Sequence, residues 1–387
     1  MEKIRIFHSA DPHGDMEAIK TYSEHIKKEK PDMAFIAGDL IDGVFTESQL
    51  EAYAKDMLQY KNEKEKLITV VIKEAKIKGE EEINKIFPLA LLPAIAEEEL
   101  EDESIIEQPN KPKGNFLSTK KLYEISNDPQ PPIEIRSAIT RYLNAREAYG
   151  KHTQTGKESM ESQYRDIDSI LEDTNCLVIP GNHDGKCLEG ILLEKYIHKQ
   201  GRTIKGIKIA GYGSSNARPA HIPGELLEDF PFCKIGNRTT KEVVYQGSEA
   251  GWFLIEKEPD IAVVHTPPMA DEGIGVYFAN EKPYLLLAGH IHQLIGVQKI
   301  GQNSHLVMPG KLGYHKGTEG FEELKTFAEI HMEKEGTENI ALQPEKILYH
   351  QIKDGKIKPF MEYTLKDGVP AEKKYLSEDC VLLRGWM

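Results

Sequence analysis

Five short stretches of this chain end in residues that could bind a metal or move a proton. KIRIFHSAD ends at Asp11, with Pro12 and His13 following, and MAFIAGD ends at Asp39. CLVIPGNHD sets Asn182, His183 and Asp184 in succession, IAVVH ends at His265, and YLLLAGHIH carries His290 and His292. Carboxylates, imidazoles and one amide, with no thiolate among them, make a mixed oxygen and nitrogen donor set. Such a set suits manganese, iron, nickel or zinc and disfavours a calcium cage. Asp11, His13, Asp39, Asn182, His265, His290 and His292 are too many for one ordinary ion. Two ions sharing one carboxylate would use them all, and a metal pair about 3.5–4 Å apart clamps the attacking and leaving oxygens of an in-line phosphoryl displacement.

Each cluster sits at the end of an apolar run, and that placement carries the inference. Runs such as Cys176 to Ile179, bounded by Asn175 and by Pro180-Gly181, read as strands buried on both faces. Loops at the carboxyl ends of strands in an α/β sheet converge on one crevice. Five clusters far apart in sequence are therefore expected to meet in one site. A sixth run, HLVMPG from His305, has a strand pattern without an obvious ligand and is read as a wall of that site.

The blocks DPH, GDLID, GNHD, VVH and GHIH, in that order, resemble the five signature blocks of the calcineurin-like metallophosphoesterases. The resemblance implies a sandwich of two packed sheets flanked by helices, in α-β-β-α layers. It also implies that Asp11, His13 and His292 hold one divalent ion, that Asn182, His265 and His290 hold a second, and that Asp39 bridges them. His183 would approach the phosphate and protonate or stabilise the leaving oxygen, with Asp184 orienting its ring. The expected cofactor is a pair of divalent ions, manganese first, with iron, nickel or zinc as alternatives. The expected reaction is attack of a metal-bound hydroxide on a small phosphodiester of nucleotide or cyclic-nucleotide type. A nuclease and a phosphomonoesterase are the alternatives.

GIKIAGYGSSNARP, from Gly206, together with AVVHTPP and LVMPGKLG, is similar to the bacterial and archaeal phosphoesterases related to cyclic-nucleotide phosphodiesterases. The Ser/Thr protein phosphatase branch carries arginines where this chain has Gly43 and Pro180, which disfavours that activity. The chain also departs from the compact members of the family, because almost 140 residues separate GDLID from GNHD. The expected organisation is a core in two parts, 1–44 and 166–316, interrupted by a helical insertion over 45–165 that serves as a lid or a dimerisation arm. A C-terminal extension, 317–387, completes the sheet or packs on the core. Leu50, Tyr53, Met57, Tyr60, Leu67, Val70, Val71 and Ala75 have helical spacing, so Glu47 to Phe87 reads as one or two long helices. A second helix is expected over Ile133 to Tyr149, then a polar Gly/Ser/Thr segment, then a core helix from Tyr164 to Leu171. KILYHQIKDGKIKPFMEYTL reads as a hairpin turning at Asp354-Gly355.

Composition narrows the class. The chain has 387 residues, 39% of them hydrophobic, which suffices for one large core or two domains. A formal charge of −14 speaks against a broad nucleic-acid-coating surface, so a small phosphoester is the expected substrate. Cys176, Cys187, Cys233 and Cys380 are scattered with no CxxC pair and read as reduced cytosolic thiols. No leader pattern and no long apolar stretch appears, so a cytoplasmic protein without membrane spans is expected. Several features have ordinary readings: His8, His25 and His221 as surface or core histidines, Asp15 and Asp42 as caps, Arg218 as a solvent-facing charge, and Glu97 to Glu103 as a solvated face.

Overall fold

The apolar runs that precede the chemistry-bearing residues all form strands, and the complete burial of those before Asp39, Asn182, His265 and His290 follows from being covered on both faces. The computed structural model of the chain describes residues 1–41, 45, 47–89, 91–92, 95, 114–213, 232–233, 247–268, 284–300, 304–314, 324–336, 341–366 and 369–376. Asp42, Gly43, Glu97 to Glu103, Arg218, His221 and Cys380 lie outside the described residues. The chain divides into two compact units, one of residues 1–43, 160–221 and 226–387, the other of 44–159 and 222–225.

In the first unit, β1 (Glu2–Ser9), β2 (Met33–Ala37) and β3 (Cys176–Ile179) run parallel. They continue through β12 (Lys325–Glu335), β13 (Ala341–Lys353), β14 (Lys356–Lys366) and β15 (Val369–Tyr375) into a seven-stranded sheet of order β15-β14-β13-β12-β1-β2-β3. The β13–β14 turn is at Asp354 and Gly355, both with positive φ (50° and 65°), which is the geometry a two-residue hairpin needs.

The second sheet has six strands. Its members are β4 (Gln200–Ile204), β5 (Ile207–Tyr212), β8 (Ile261–Val264), β9 (Leu285–Leu287), β10 (Ile295–Ile300) and β11 (Ser304–Pro309), ordered β10-β11-β9-β8-β5-β4. Two two-residue strands, β6 (Phe232–Cys233) and β7 (Gly247–Ser248), pair separately.

One continuous core joins the sheets. Ile4, Ile6, Phe35 and Ile179 of the first meet Ile209, Val263, Leu285 and Val307 of the second. Helix α1 (Met16–Glu29) covers the outer face of the first sheet, where the Tyr22 ring meets Phe327 and its hydroxyl donates to the Phe35 carbonyl at 3.2 Å. Ala250 and Leu254 of a helix over Glu249–Lys257 pack with Ala210, Ala262 and Leu286 on the outer face of the second. The layers are therefore α-β-β-α.

The second unit is helical. Among the described residues its helices include α2 (Glu47–Lys78), α3 (Glu80–Ile86), α4 (Gly114–Asn127) and the first part of α5 (Ile133–Leu171). Counted with these, the short helix Cys187–Ile191 is α6 and Glu249–Lys257 is α7. Tyr53, Tyr60 and Leu67 recur every seven residues along α2 and are buried together with Val71 and Ala75, against Ile135, Tyr142 and Tyr149 of α5. The Tyr53 and Tyr149 hydroxyls meet at 3.0 Å, and Glu63 accepts from Arg141 at 3.1 Å. Leu50, by contrast, is exposed.

The polar segment expected to interrupt α5 is helical instead. Gly150, Thr153, Thr155 and Gly156 have low helix propensity, yet Tyr149 and Met160 on either side are buried, and the His152 ring meets Asp56 of α2 at 3.0 Å. Tertiary burial here outweighs local preferences that amount to less than about 1 kcal/mol per residue. The unit boundary consequently falls within α5, between Ser159 and Met160.

Candidate metal centre

The loops after β1 and β2 are laced to each other. Asp11 N–H donates to Gly38 O (3.0 Å), His13 N–H to Asp39 O (2.9 Å) and Gly14 N–H to Leu40 O (2.9 Å). This lacing requires unusual backbone. Asp11 (φ 53°), His13 (φ 48°), Asp39 (φ 51°) and His290 (φ 68°) are all left-handed although none is glycine. Each such residue costs on the order of 1–2 kcal/mol, and strain of this kind concentrates where a site needs a particular side-chain direction. Close approach does the rest. A Cβ on Gly38 would collide with the His265 ring, and one on Gly181 with the Asp39 carboxylate.

Among the described residues two groups of donor atoms result: Asp11, His13, Asp39 and His292 in one, Asp39, His265 and His290 in the other. Asp39 belongs to both. In the first group His13 Nε2 faces His292 Nε2 at 2.9 Å and Asp39 Oδ2 at 3.8 Å, while His292 Nε2 lies 3.7 Å from Asp11 Oδ1. In the second, the Asn182 Oδ1 atom is 3.0 Å from both His265 Nε2 and His290 Nδ1, and these two nitrogens are 3.2 Å apart. His265 Nε2 is 3.5 Å from Asp39 Oδ2. The Ala37 carbonyl, 2.8 Å from His265 Nδ1, accepts a hydrogen bond from the N–H there and so leaves the Nε2 lone pair directed at the group. All seven residues named from sequence are thus brought together.

The residues present fit divalent ions. Donors about 2.0–2.2 Å from a common ion lie roughly 3.0–3.4 Å from one another at tetrahedral or octahedral angles, close to the spacing seen here. Lone pairs of imidazoles and carboxylates facing each other at such range repel unless a cation lies between them. Burial and neighbouring charges also shift the ionisation of these groups. Burial, with Asp39 beside it, holds Asp11 well above the usual carboxylate range. Burial also opposes ionisation of Asp39, but the rings of His265, His183 and His13 outweigh it and bring its carboxyl to about 2. Burial and the neighbouring His265 push His290 down to about 4, so its ring is neutral and its lone pair available near neutral pH.

His183 is in neither donor group. Its backbone N–H donates to Asp39 Oδ1 at 2.9 Å, and its half-buried ring stands edge-on to that of His13 with centroids 5.1 Å apart. The buried carboxylate of Asp184 accepts from Leu40 N–H (3.1 Å), Gly181 N–H (2.7 Å) and the Tyr164 hydroxyl (3.0 Å). Tyr164, read from sequence only as the start of a core helix, was missed, because a buried tyrosine in an amphipathic pattern carries no local sign of what its hydroxyl meets.

The wall strand β11 also contributes through the loop behind it. Leu312 N–H donates to Ala10 O (2.7 Å), Gly313 N–H to Asp11 O (3.2 Å) and Tyr314 N–H to Asp15 Oδ2 (3.1 Å). Asp15 meanwhile caps α1 through Ala18 N–H (3.0 Å) and pairs with Lys325 at 2.7 Å. One carboxylate therefore clasps the metal-side loop, the first helix and β12.

Fold and site together define an α/β sandwich whose strand ends gather two adjoining sets of donors able to hold divalent metal. The family model described as calcineurin-like phosphoesterase matches residues 4–73, the stretch that supplies Asp11, His13 and Asp39. Over that stretch the chain is similar to the calcineurin-like phosphoesterases. No match is found among curated proteins. Among solved structures the chain is similar to the crystal structure of TT1561 of Thermus thermophilus, at 11% identity over 92% of this chain and 98% of that one, with a TM-score of 0.38. It is also similar to a single mutant of Vps29 from Entamoeba histolytica, at 13% identity over 49% of this chain and 82% of that one, with a TM-score of 0.23. No described helix is long and apolar enough to cross a membrane.

Proposed function

We propose that the protein hydrolyses a small phosphodiester, of nucleotide or cyclic-nucleotide type, with two divalent ions, manganese first among them. The observation that carries this reading is the membership of Asp39 in both donor groups, since a shared carboxylate is what sets two ions side by side. Asp11, His13 and His292 would hold one ion and Asn182, His265 and His290 the other. When bound, such ions polarise a phosphoryl oxygen and lower the pKa of water toward neutrality. The chain's own residues do the remainder. The Ala37 carbonyl keeps the His265 proton on Nδ1, and the Asp39 carboxylate fixes the backbone of His183, whose ring protonates the departing oxygen.

The preference for a diester follows from charge. A phosphomonoester dianion calls for fixed cations beyond the metals, and the protein phosphatase branch supplies arginines at positions that here are Gly43 and Pro180. A diester carries one charge less. The acidic total of −14 opposes binding of polymeric nucleic acid, which rests on neutralising many phosphates. Manganese-loaded protein is expected to cleave bis-aryl phosphodiesters faster than the matching monoesters, and nucleotide-sized diesters in preference to duplex DNA at low salt. Tight duplex binding with processive degradation would replace this reading with a nuclease, and faster monoester cleavage with a phosphomonoesterase.

A further inference from the structure

The loop that carries Asn182 and His183 is held by a helix through one hydroxyl. Tyr164, on the last turns of α5, is fully buried. Its hydroxyl donates to Asp184 Oδ1 at 3.0 Å and accepts from Gly185 N–H at 2.9 Å. The same carboxylate receives Leu40 N–H, the peptide that follows Asp39, and Gly181 N–H, at the opposite end of the loop. His183 N–H closes the circuit on Asp39 Oδ1 at 2.9 Å. The segment 181–185 is thus pinned at both ends, and each of these pins leads to Asp184, Tyr164 or Asp39.

We propose that Tyr164 is a positioning residue for the reaction, acting through Asp184 to hold Asn182 and His183 in register with Asp39. This inference rests on the hydrolase reading above, and it adds a residue that the signature blocks do not contain. The physical reason is the saturation of the carboxylate. Asp184 is buried, and each of its bonds fixes a different part of the site. Without the hydroxyl, Gly185 N–H is left buried with no acceptor and the loop end loses its anchor to the helix. A displacement of about 1 Å at a reacting group is enough to cost on the order of 100-fold in rate, so a loosened loop is felt in turnover before it is felt in folding.

The test is Tyr164→Phe, which keeps the ring and removes only the oxygen, with Tyr22→Phe as its match. Tyr22 is equally buried, lies on α1 against the same sheet, and also gives up a hydroxyl bond, that to Phe35 O, but this bond reaches no residue of the 181–185 loop. Three readouts separate positioning from packing: kcat with KM on a bis-aryl diester, manganese stoichiometry, and hydrogen exchange at the amides of Leu40, Gly181 and Gly185. Tyr164→Phe is expected to lower kcat by about 10–100-fold with KM little changed, the range found when the partners that orient metal ligands are removed. It should also weaken binding of the ion assigned to Asn182 while sparing the other, and speed exchange at the three amides. Tyr22→Phe should lower the melting temperature comparably and change none of the three. The inference is overturned if Tyr164→Phe lowers only the melting temperature, or if Tyr22→Phe loses kcat to the same extent. Failure of the unmutated protein to cleave any phosphoester would instead overturn the hydrolase reading, and the metal and exchange measurements would still decide the role of Tyr164.

Discussion

His8 offers a quantitative test of the inter-sheet core. It lies on the face of β1 that carries Ile4 and Ile6, is fully buried, and its Nε2 meets the Ala288 carbonyl at the end of β9 at 3.1 Å. Burial pushes its pKa from 6.5 down to about 4, with hydrogen bonds to the Ala288 and Val307 backbone opposing the shift. Because the folded value is depressed, the unfolded chain takes up the proton first as pH falls. The stability this histidine contributes is therefore complete above about pH 6.5 and is lost as pH falls toward about 4. At about pH 5 the loss is on the order of 2 kcal/mol, rising to a limit of about 3. In His8→Gln the amide can still donate to Ala288 O but cannot titrate. Urea unfolding of the chelated proteins at about pH 7 and pH 5 should show a stability difference smaller by ~2 kcal/mol in the variant. His198, pushed down to about 3 by burial and by Lys199, titrates in the same direction but is common to both proteins and cancels. An identical pH dependence in the two proteins would refute the reasoning and mean that water or rearrangement accommodates a charged His8.

Further outcomes concern the site. Asp39→Asn should lose metal at both positions, whereas His265→Ala should mainly empty the second, as elemental analysis after manganese saturation can resolve; at most one ion in the unmutated chain would sink the shared-carboxylate arrangement. His183→Ala should keep its metal and lose roughly 10²–10⁴-fold in turnover, least on esters with good leaving groups. Equal loss on activated and unactivated esters would remove the assignment of His183 as proton donor. Replacing residues 45–158 by a short Gly/Ser linker, which spares Tyr164, should leave metal binding and cleavage of a small activated diester largely intact while changing the preference among larger substrates. A change in assembly state alone would mark that segment as an arm instead of a lid.

Much of the candidate site is legible in the sequence because each cluster of donors stands at the end of its own strand. A run such as MAFIA or IAVV is too uniformly apolar for a surface element, and the polar residue that ends it has to face the crevice or solvent. Strand polarity then does across the whole chain what proximity in sequence cannot. The hairpin at Asp354-Gly355 is legible for a different reason, since its turn chemistry is local. The continuity of α5 through Gly150 and Gly156 is not legible, because it depends on what buries Tyr149 and Met160 from elsewhere in the chain.

What the sequence by itself determines here is therefore a list of donors and the strand ends that carry them. The tertiary structure decides how those donors are shared and oriented. That Asp39 stands in both groups follows from two loops bonded backbone to backbone with left-handed donor residues, and no periodicity encodes that pairing. The partners of Asp184 are decided the same way, since donors from Leu40, Gly181 and Tyr164 reach its carboxylate in the folded chain. A buried carboxylate answers to whichever hydrogen-bond donors surround it, and those come from residues far away along the chain.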